Sequence, residues 1–256
     1  MTVKNEPKTD MLSKGLHLLL LLGDAPKGAR TADLARLADL PFNTTYRLLK
    51  GLTKEGFAHY EPEGRLYHLG LQIFQLGQRV SHAHGFAGVA QPILEKVTAQ
   101  TLEATIMAVQ YGMHQLTVSK VDGPHAFRLT SDAGHQGPLH STALGKVLVA
   151  FADEDESERL ISELELRPRT EHTITDRDTF RREIEKVRAQ GFAAMDEENE
   201  VGMHAIAVPV LAQGRRAIAA LATAAPVFRL TMDGLKAHLP ALRRAAEELA
   251  VRLPQL

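Results

Sequence analysis

A chain of 256 residues, 44% apolar and 24% charged, is long enough for two domains of ordinary size and too apolar to be disordered throughout. The absence of cysteine removes disulfides, thiolate nucleophiles and cysteine-based zinc sites together, and the longest apolar run, Leu16 to Leu22, is interrupted by His17 and far shorter than the roughly 20 residues that span a bilayer. A net charge of −1 argues against a protein that coats nucleic acid, but residues 1–84 hold 11 Lys or Arg against 8 Asp or Glu while residues 85–256 hold 19 against 23, so the N-terminal part is the better candidate for phosphate contact.

Residues 1–10 are polar, carry Pro7 and read as a disordered tail without the basic and apolar blocks of a secretory leader, so the cytoplasm is the expected location. Leu12, Leu16, Leu19 and Leu20 then fall at helical spacing. Leu18, Leu21 and Leu22 widen the apolar face until the helix is expected to be buried on most sides. After Gly23, Pro26 and Gly28, Thr31 is a suitable N-cap for a short helix that turns Leu34, Ala35 and Leu37 inward and ends before Leu40 and Pro41. A third helix runs from about Asn43 to Lys54. Its inner face is Thr45, Leu48, Leu49 and Leu52, and its outer face is Asn43, Arg47, Lys50 and Lys54.

Two short helices joined by a tight turn match the arrangement that inserts its second helix into the major groove. Asn43 and Arg47 can pair with adenine and guanine edges, while Thr44, Thr45 and Lys50 suit phosphates or a thymine methyl. A merely solvated outer face would look the same at this level. Phe57 to Tyr60 and Arg65 to Leu69 follow as two strands around Glu61, Pro62, Glu63 and Gly64, where a winged helix carries its wing, with Arg65 at the tip. The next helix, over residues 71–84, has Leu71, Ile73, Phe74 and Leu76, is too apolar to stand alone in water, and is expected to pack against a second copy of the chain.

Beyond residue 84 the pattern is α+β. Phe86 to Gln100 reads as a helix, Thr105 to Val109 and Leu116 to Val121 as strands around a Gly112 turn, and Ser141 as the cap of a helix reaching Phe151. Thr175 is the expected cap of another helix that ends at Gly191. Strands Ile206 to Leu211 and Ala217 to Ala224 join at Gln213 and Gly214, and Thr231 opens a terminal helical region interrupted by Pro240.

The residues resemble the isocitrate lyase regulator (IclR) family of transcription factors over nearly the whole chain. The resemblance is carried by Thr31 to Leu37, Leu40, Pro41, Thr44, Arg47 to Leu49, Gly56, Phe57, Leu69 and Gly70. In the second half it is carried by Pro138 to His140, Thr142, Ala143, Gly145, Lys146, Gly191, Phe192, Glu197, Glu198, Gly202 and Ala205 to Pro209. It implies an N-terminal winged helix-turn-helix over residues 11–70, a linker helix over 71–84, and a GAF-like α+β effector-binding domain over 85–256. Such a protein works as a homodimer or tetramer on double-stranded operator DNA and responds to a small molecule. The chain departs from the family at Phe42 and Asn43, where a small or basic residue followed by Ser is usual, so its base preference is its own.

The resemblance also implies a pocket at Ala143, Leu144, Met195, Met203, Ala205, Ala222 and Ala224. Relatives that take small oxoacids place hydroxyl, thiol or carboxylate groups at several of these positions. Met and Ala here cannot satisfy many ligand oxygens, each worth about 1–3 kcal/mol if left unpaired, so a larger, more apolar or aromatic acid is expected. Backbone N–H groups at the start of the Ser141 helix favour a carboxylate, with Arg128, His135 and His140 as further candidates or as plain surface and loop residues.

Enzyme readings find little support: the chain has no GxSxG, HExxH, P-loop or GxGxxG. His82 and His84 are two apart, which does not suit one helix face, and Asp196, Glu197, Glu198 and Glu200 read as a solvated acidic loop in preference to a cation site. No cofactor and no metal is expected. The remaining alternative is an architectural DNA-binding protein whose second domain serves only assembly.

Overall fold

Residues 10–126, 131–211 and 216–253 are described by the computed structural model. Most of the expected tail, Arg128, and the turn at Gln213 and Gly214 lie outside the described residues. The chain divides into two compact units, Met1–Val80 and Ser81–Leu256.

The first unit is built around a helix-turn-helix. Helix α1 (Met11–Gly23) is opened by the Asp10 carboxylate, which accepts from the Ser13 N–H at 2.7 Å. Helices α2 (Thr31–Leu37) and α3 (Phe42–Lys54) follow, then strands β1 (Ala58–Glu61) and β2 (Leu66–Leu69), antiparallel with Tyr60 opposite Tyr67. Helix α4 (Leu71–Ala83) comes last. The core is Leu18, Leu22, Leu34, Leu49, Ala58 and Tyr67.

Two expectations change here, at Thr31 and at α1. Thr31 is the first residue inside α2 and Arg30 occupies the cap position without a side-chain bond; the Thr31 hydroxyl is instead engaged with Tyr67. Helix α1 is not buried on most sides: Leu12 and Leu20 are each 71% exposed, because a single thin core can cover only one face of so apolar a helix. In α4 no residue is buried, and Leu71, Phe74 and Val80 face outward. Gly70 lets the hairpin return close to the end of α3, since a Cβ there would overlap the Gly56 carbonyl.

The second unit is a six-stranded antiparallel sheet with helices on both faces. In chain order it comprises a π-helical turn (Phe86–Ala90), α5 (Gln91–Thr101), β3 (Ala104–Tyr111), β4 (His114–Val121), β5 (Gln136–Pro138), α6 (Ala143–Ala150) and α7 (Glu154–Glu163). It continues with α8 (Arg177–Gln190), β6 (Ala193–Asp196), β7 (Met203–Leu211), β8 (Ala217–Pro226), α9 (Met232–Lys236) and α10 (Leu239–Arg252), in the strand order β5-β4-β3-β8-β7-β6. The single helix expected over Phe86 to Gln100 is therefore two. Pro92 has no N–H to continue a regular ladder, and the turn before it closes with Ala90 N–H on the Gly85 carbonyl.

Strand alternation divides the core. Ile206, Val208 and Leu221 pack with α5 and α10 on one face, whereas Ala205, Ala207, Ala220, Ala222 and Ala224 face α6 on the other, over Val147, Phe180 and Ile184. Thr142, not Ser141, caps α6, accepting from Gly145 N–H at 3.0 Å while the Ser141 hydroxyl donates to Asn199. Asp176, not Thr175, caps α8; its carboxylate takes both the N–H and the hydroxyl of Thr179, which one threonine oxygen would not match. The terminal helical region breaks before Pro240 as expected: α9 ends at Lys236, and Pro240 sits in the first turn of α10, where its missing N–H costs nothing. Among the described residues no helix is long and apolar enough to cross a membrane.

Candidate functional site

In the first unit the outer face of α3 assembles as its periodicity requires. Asn43, Arg47, Lys50 and Lys54 are exposed and Thr44 is half-buried, above a buried Thr45 and Leu49. The ion pairs of this unit are Arg36 with Asp33 and His68 with Glu61, so Arg47, Lys50 and Lys54 have no carboxylate partner among the described residues. The Lys50 ammonium lies 5.4 Å from the centroid of the Tyr46 ring. Thr45 is a correction to the expected DNA-facing set: it has no exposed surface and its hydroxyl donates back to the Pro41 carbonyl at 3.2 Å, so neither a base nor a phosphate can reach it. Thr31, half-buried beside Tyr67, is turned to the interior of the unit. Arg65 stands exposed at the hairpin tip with φ of 54°.

The second unit holds a half-open cavity of about 70 Å3 between the sheet and α6. Its walls include Ala143, Leu144, Met195, Met203, Ala205, Ala222 and Ala224. Register explains the convergence. Met195 lies opposite Ala205, which lies opposite Ala224, so one row across β6, β7 and β8 presents little more than methyl groups beneath α6. Gly145 lets the segment leading into α6 fold back against the helix, because a Cβ there would overlap the Leu139 backbone.

Five polar residues complete the lining: Thr142 and Glu200, which lie where the resemblance implies the helix start and the acidic segment of the pocket, and Gln115, Ser131 and Asn199, which were not singled out in the sequence. The Gln115 carbonyl oxygen accepts from the Thr142 hydroxyl at 2.9 Å and the Asn199 carbonyl oxygen accepts from Ser141 at 3.1 Å. Each amide therefore retains its N–H donors. The first N–H groups of α6 add donors at the same end, whereas Glu200 adds the one charge among the described lining residues. Alternation along β4 was the available clue to Gln115, which is buried on the helix-covered face at a position where a surface strand would expose a glutamine.

Behind the cavity α6 carries a fully buried Lys146, whose ammonium donates to Glu198 at 2.7 Å and to Glu183 at 3.2 Å. Burial pushes the Glu198 carboxyl above its ordinary pKa, and the Lys146 charge offsets part of that rise. The loop carrying Glu198 is held by Thr173 on the Glu198 carbonyl and by Thr170 on that of Glu197. Asp196, Glu197 and His204 approach one another nearby. Protein groups account for all three: Asp196 and the Leu230 carbonyl take the two ring nitrogens, and the Gly202 N–H takes Glu197.

His140 does not join the cavity. It is buried beside an open groove of about 610 Å3 whose walls include Met113, Leu164, Arg167 and Arg169, and its Nε2 is 2.9 Å from the Arg167 carbonyl. Burial lowers its pKa below the ordinary 6.5.

Comparison with known proteins bears on both surfaces. The model of the IclR helix-turn-helix domain matches residues 11–62, and that of the bacterial transcriptional regulator IclR C-terminal region matches residues 78–251. The HTH-type transcriptional regulator KdgR of Escherichia coli is 29% identical over 250 residues, covering 98% of this chain and 95% of its own. The HTH-type transcriptional repressor AllR of the same organism is 26% identical over 242 residues, 94% and 89% of the two chains. Among solved structures, an IclR homologue from Microbacterium hydrocarbonoxydans complexed with 4-hydroxybenzoate matches with a TM-score of 0.83 at 25% identity, over 94% of this chain and 98% of that one.

Proposed function

This chain belongs to the IclR family of DNA-binding transcriptional regulators, and on that premise we propose that it is a cytoplasmic homodimer or tetramer that binds an operator of a catabolic operon and releases or re-engages it when an apolar or aromatic organic acid occupies the second unit. The observation that carries the reading is the cavity beneath α6, with its Met and Ala walls and its amide and backbone N–H donors gathered at one end. Those donors suit a carboxylate; the Met and Ala walls suit a ring or branched chain.

A cavity of about 70 Å3 is tight for a benzoate-sized ligand, and the flexible Met195 and Met203 side chains in its walls are the groups that swing aside to admit one. That displacement is the coupling step. Occupancy favours one arrangement of the protein over another, and operator affinity changes by as much as the ligand discriminates between them. Asn43 and Arg47 read base edges and Thr44, Lys50 and Arg65 contact the backbone. Assembly of two copies is supported by the outward leucines of α1 and the exposed Leu71, Phe74 and Val80 of α4, each worth about 1.5–3 kcal/mol if fully covered.

Footprinting upstream of the protein's own gene and its neighbours, with and without 4-hydroxybenzoate, pyruvate or glyoxylate, tests the reading alongside a thermal-shift panel of the same acids. A protected operator whose occupancy changes with the aromatic acid is expected. Stabilisation by pyruvate or glyoxylate with none by aromatic or branched acids would refute the apolar pocket. A protected operator indifferent to every acid would favour the architectural alternative.

A further inference from the structure

The flank of α3 that turns toward the hairpin carries groups that base reading does not use. Tyr46, Lys50, Thr53 and Lys54 on the helix face Tyr60 and Tyr67 on the hairpin across an open groove of about 610 Å3. Tyr67 is its buried floor. Tyr60, its cross-strand partner on the same hairpin face, forms the far wall, with ring centroids 4.8 Å apart and planes inclined at 44°. Tyr46 and Tyr60 remain 41% and 37% exposed, so two half-open aromatic rings border the groove.

Charge identifies what fits between them. Lys50 and Lys54 are four residues apart and so rise from the same helix face, and neither has a carboxylate partner among the described residues. The hairpin's Glu61 falls on the opposite face from Tyr60 by strand alternation and is engaged by His68 at 3.1 Å. The groove therefore offers two unpaired cations, two phenol hydroxyls and two ring faces, with no acidic lining residue. A phosphodiester strand supplies the matching set: anionic oxygens for the lysines and hydroxyls, and the apolar face of deoxyribose for the rings.

We infer that this groove seats the DNA strand flanking the bases that α3 reads, with Lys50 and Lys54 on neighbouring phosphates, Tyr46 and Tyr60 donating to phosphate oxygens, and the rings packed on sugars. The inference rests on the DNA-binding reading and deepens it. Tyr46, Lys54 and Tyr60 become positioning residues that fix how the helix enters the groove, independent of base sequence.

The test is fluorescence anisotropy of the full-length protein with two duplexes of equal length, the footprinted operator and a mixed sequence, across a salt series. Lys54→Gln should weaken both duplexes by roughly three- to tenfold and reduce the slope of log affinity against log salt by about 0.9 for each DNA-contacting copy of the chain. Tyr60→Phe, which keeps the ring and removes only the hydroxyl, should weaken both duplexes about equally and leave the slope unchanged. Neutral methylphosphonates placed at the flanking phosphates should weaken the wild type and have a smaller effect on Lys54→Gln. Wild-type affinity and slope in both variants, with the wild type still selecting its operator, would overturn the groove assignment and leave the DNA-binding reading standing. Failure of the wild type to bind either duplex would overturn both.

Discussion

The two units keep their candidate functional groups in opposite places. In the first, a core of six buried residues supports a surface whose exposed Asn43, Arg47, Lys50 and Lys54 point away from it. In the second, the candidate site is inside, where α6 lies over a sheet of alanines and every residue of that helix is buried. A reading surface can change its side chains with little effect on folding, whereas a pocket shares its walls with the core. Specificity and stability are thus separable in the first unit and entangled in the second.

The sharpest way to break that contrast is Lys146→Met. It leaves Glu183 and Glu198 without their shared cation, and removing one member of a buried ion pair costs about 3–5 kcal/mol. Urea denaturation should show that loss. The sign with pH follows from Glu198: its folded-state pKa lies above the ordinary carboxylate value, so the cost of ionisation is absent at low pH and grows as pH rises through that pKa. Acidifying the variant from about pH 7 toward pH 5 should restore part of its stability. A variant as stable as the wild type at neutral pH would mean that the buried network is dispensable.

Arg47→Ala is the converse experiment on the surface. Losing one bidentate base contact should cost about 1–3 kcal/mol in operator affinity per half-site, with the denaturation midpoint and the effector-induced thermal shift unchanged. Unaltered operator affinity would remove Arg47 from the reading surface. Ala222→Leu then sharpens the comparison from the pocket side. The larger side chain fills the floor of the cavity, so the acid-induced thermal shift should vanish while affinity for the operator without ligand stays within about twofold, with overpacking costing about 1–3 kcal/mol.

The smallest expected effect is at His140. Its pKa is depressed in the folded state, so the stability it contributes is present above about 6.5 and is lost as pH falls from there through the folded value. Melting temperatures followed from neutral to mildly acidic pH should fall less steeply in His140→Asn than in the wild type, with equal acid-induced shifts at neutral pH in both. A ligand response lost in His140→Asn would tie the outer groove to the cavity.

The amino-acid sequence determined a good deal. Helical spacing in α3 separates Leu48, Leu49 and Leu52 from Asn43, Arg47 and Lys50, the turn at Glu61 to Gly64 marks the hairpin, and motif order identifies the α+β second unit. These are local matters, decided by a period of 3.6 or 2 residues and by turn chemistry. Tertiary structure alone decided the rest. Thr45 was inward by spacing yet chemically suited to DNA, and burial settles the conflict. Strands β5 and β6 escaped notice because two short edge strands have weak periodicity and take their definition from neighbours, whereas helix α7, acid-rich but amphipathic, carried a readable apolar face at Leu160 and Ile161 that was not singled out. Gln115 and Asn199 reach the start of α6 across the fold, and Tyr46 faces Tyr60 across a groove, so no spacing along the chain announces either. A surface written on one helix obeys the geometry of that helix, whereas a pocket or a groove exists only where separate elements pack.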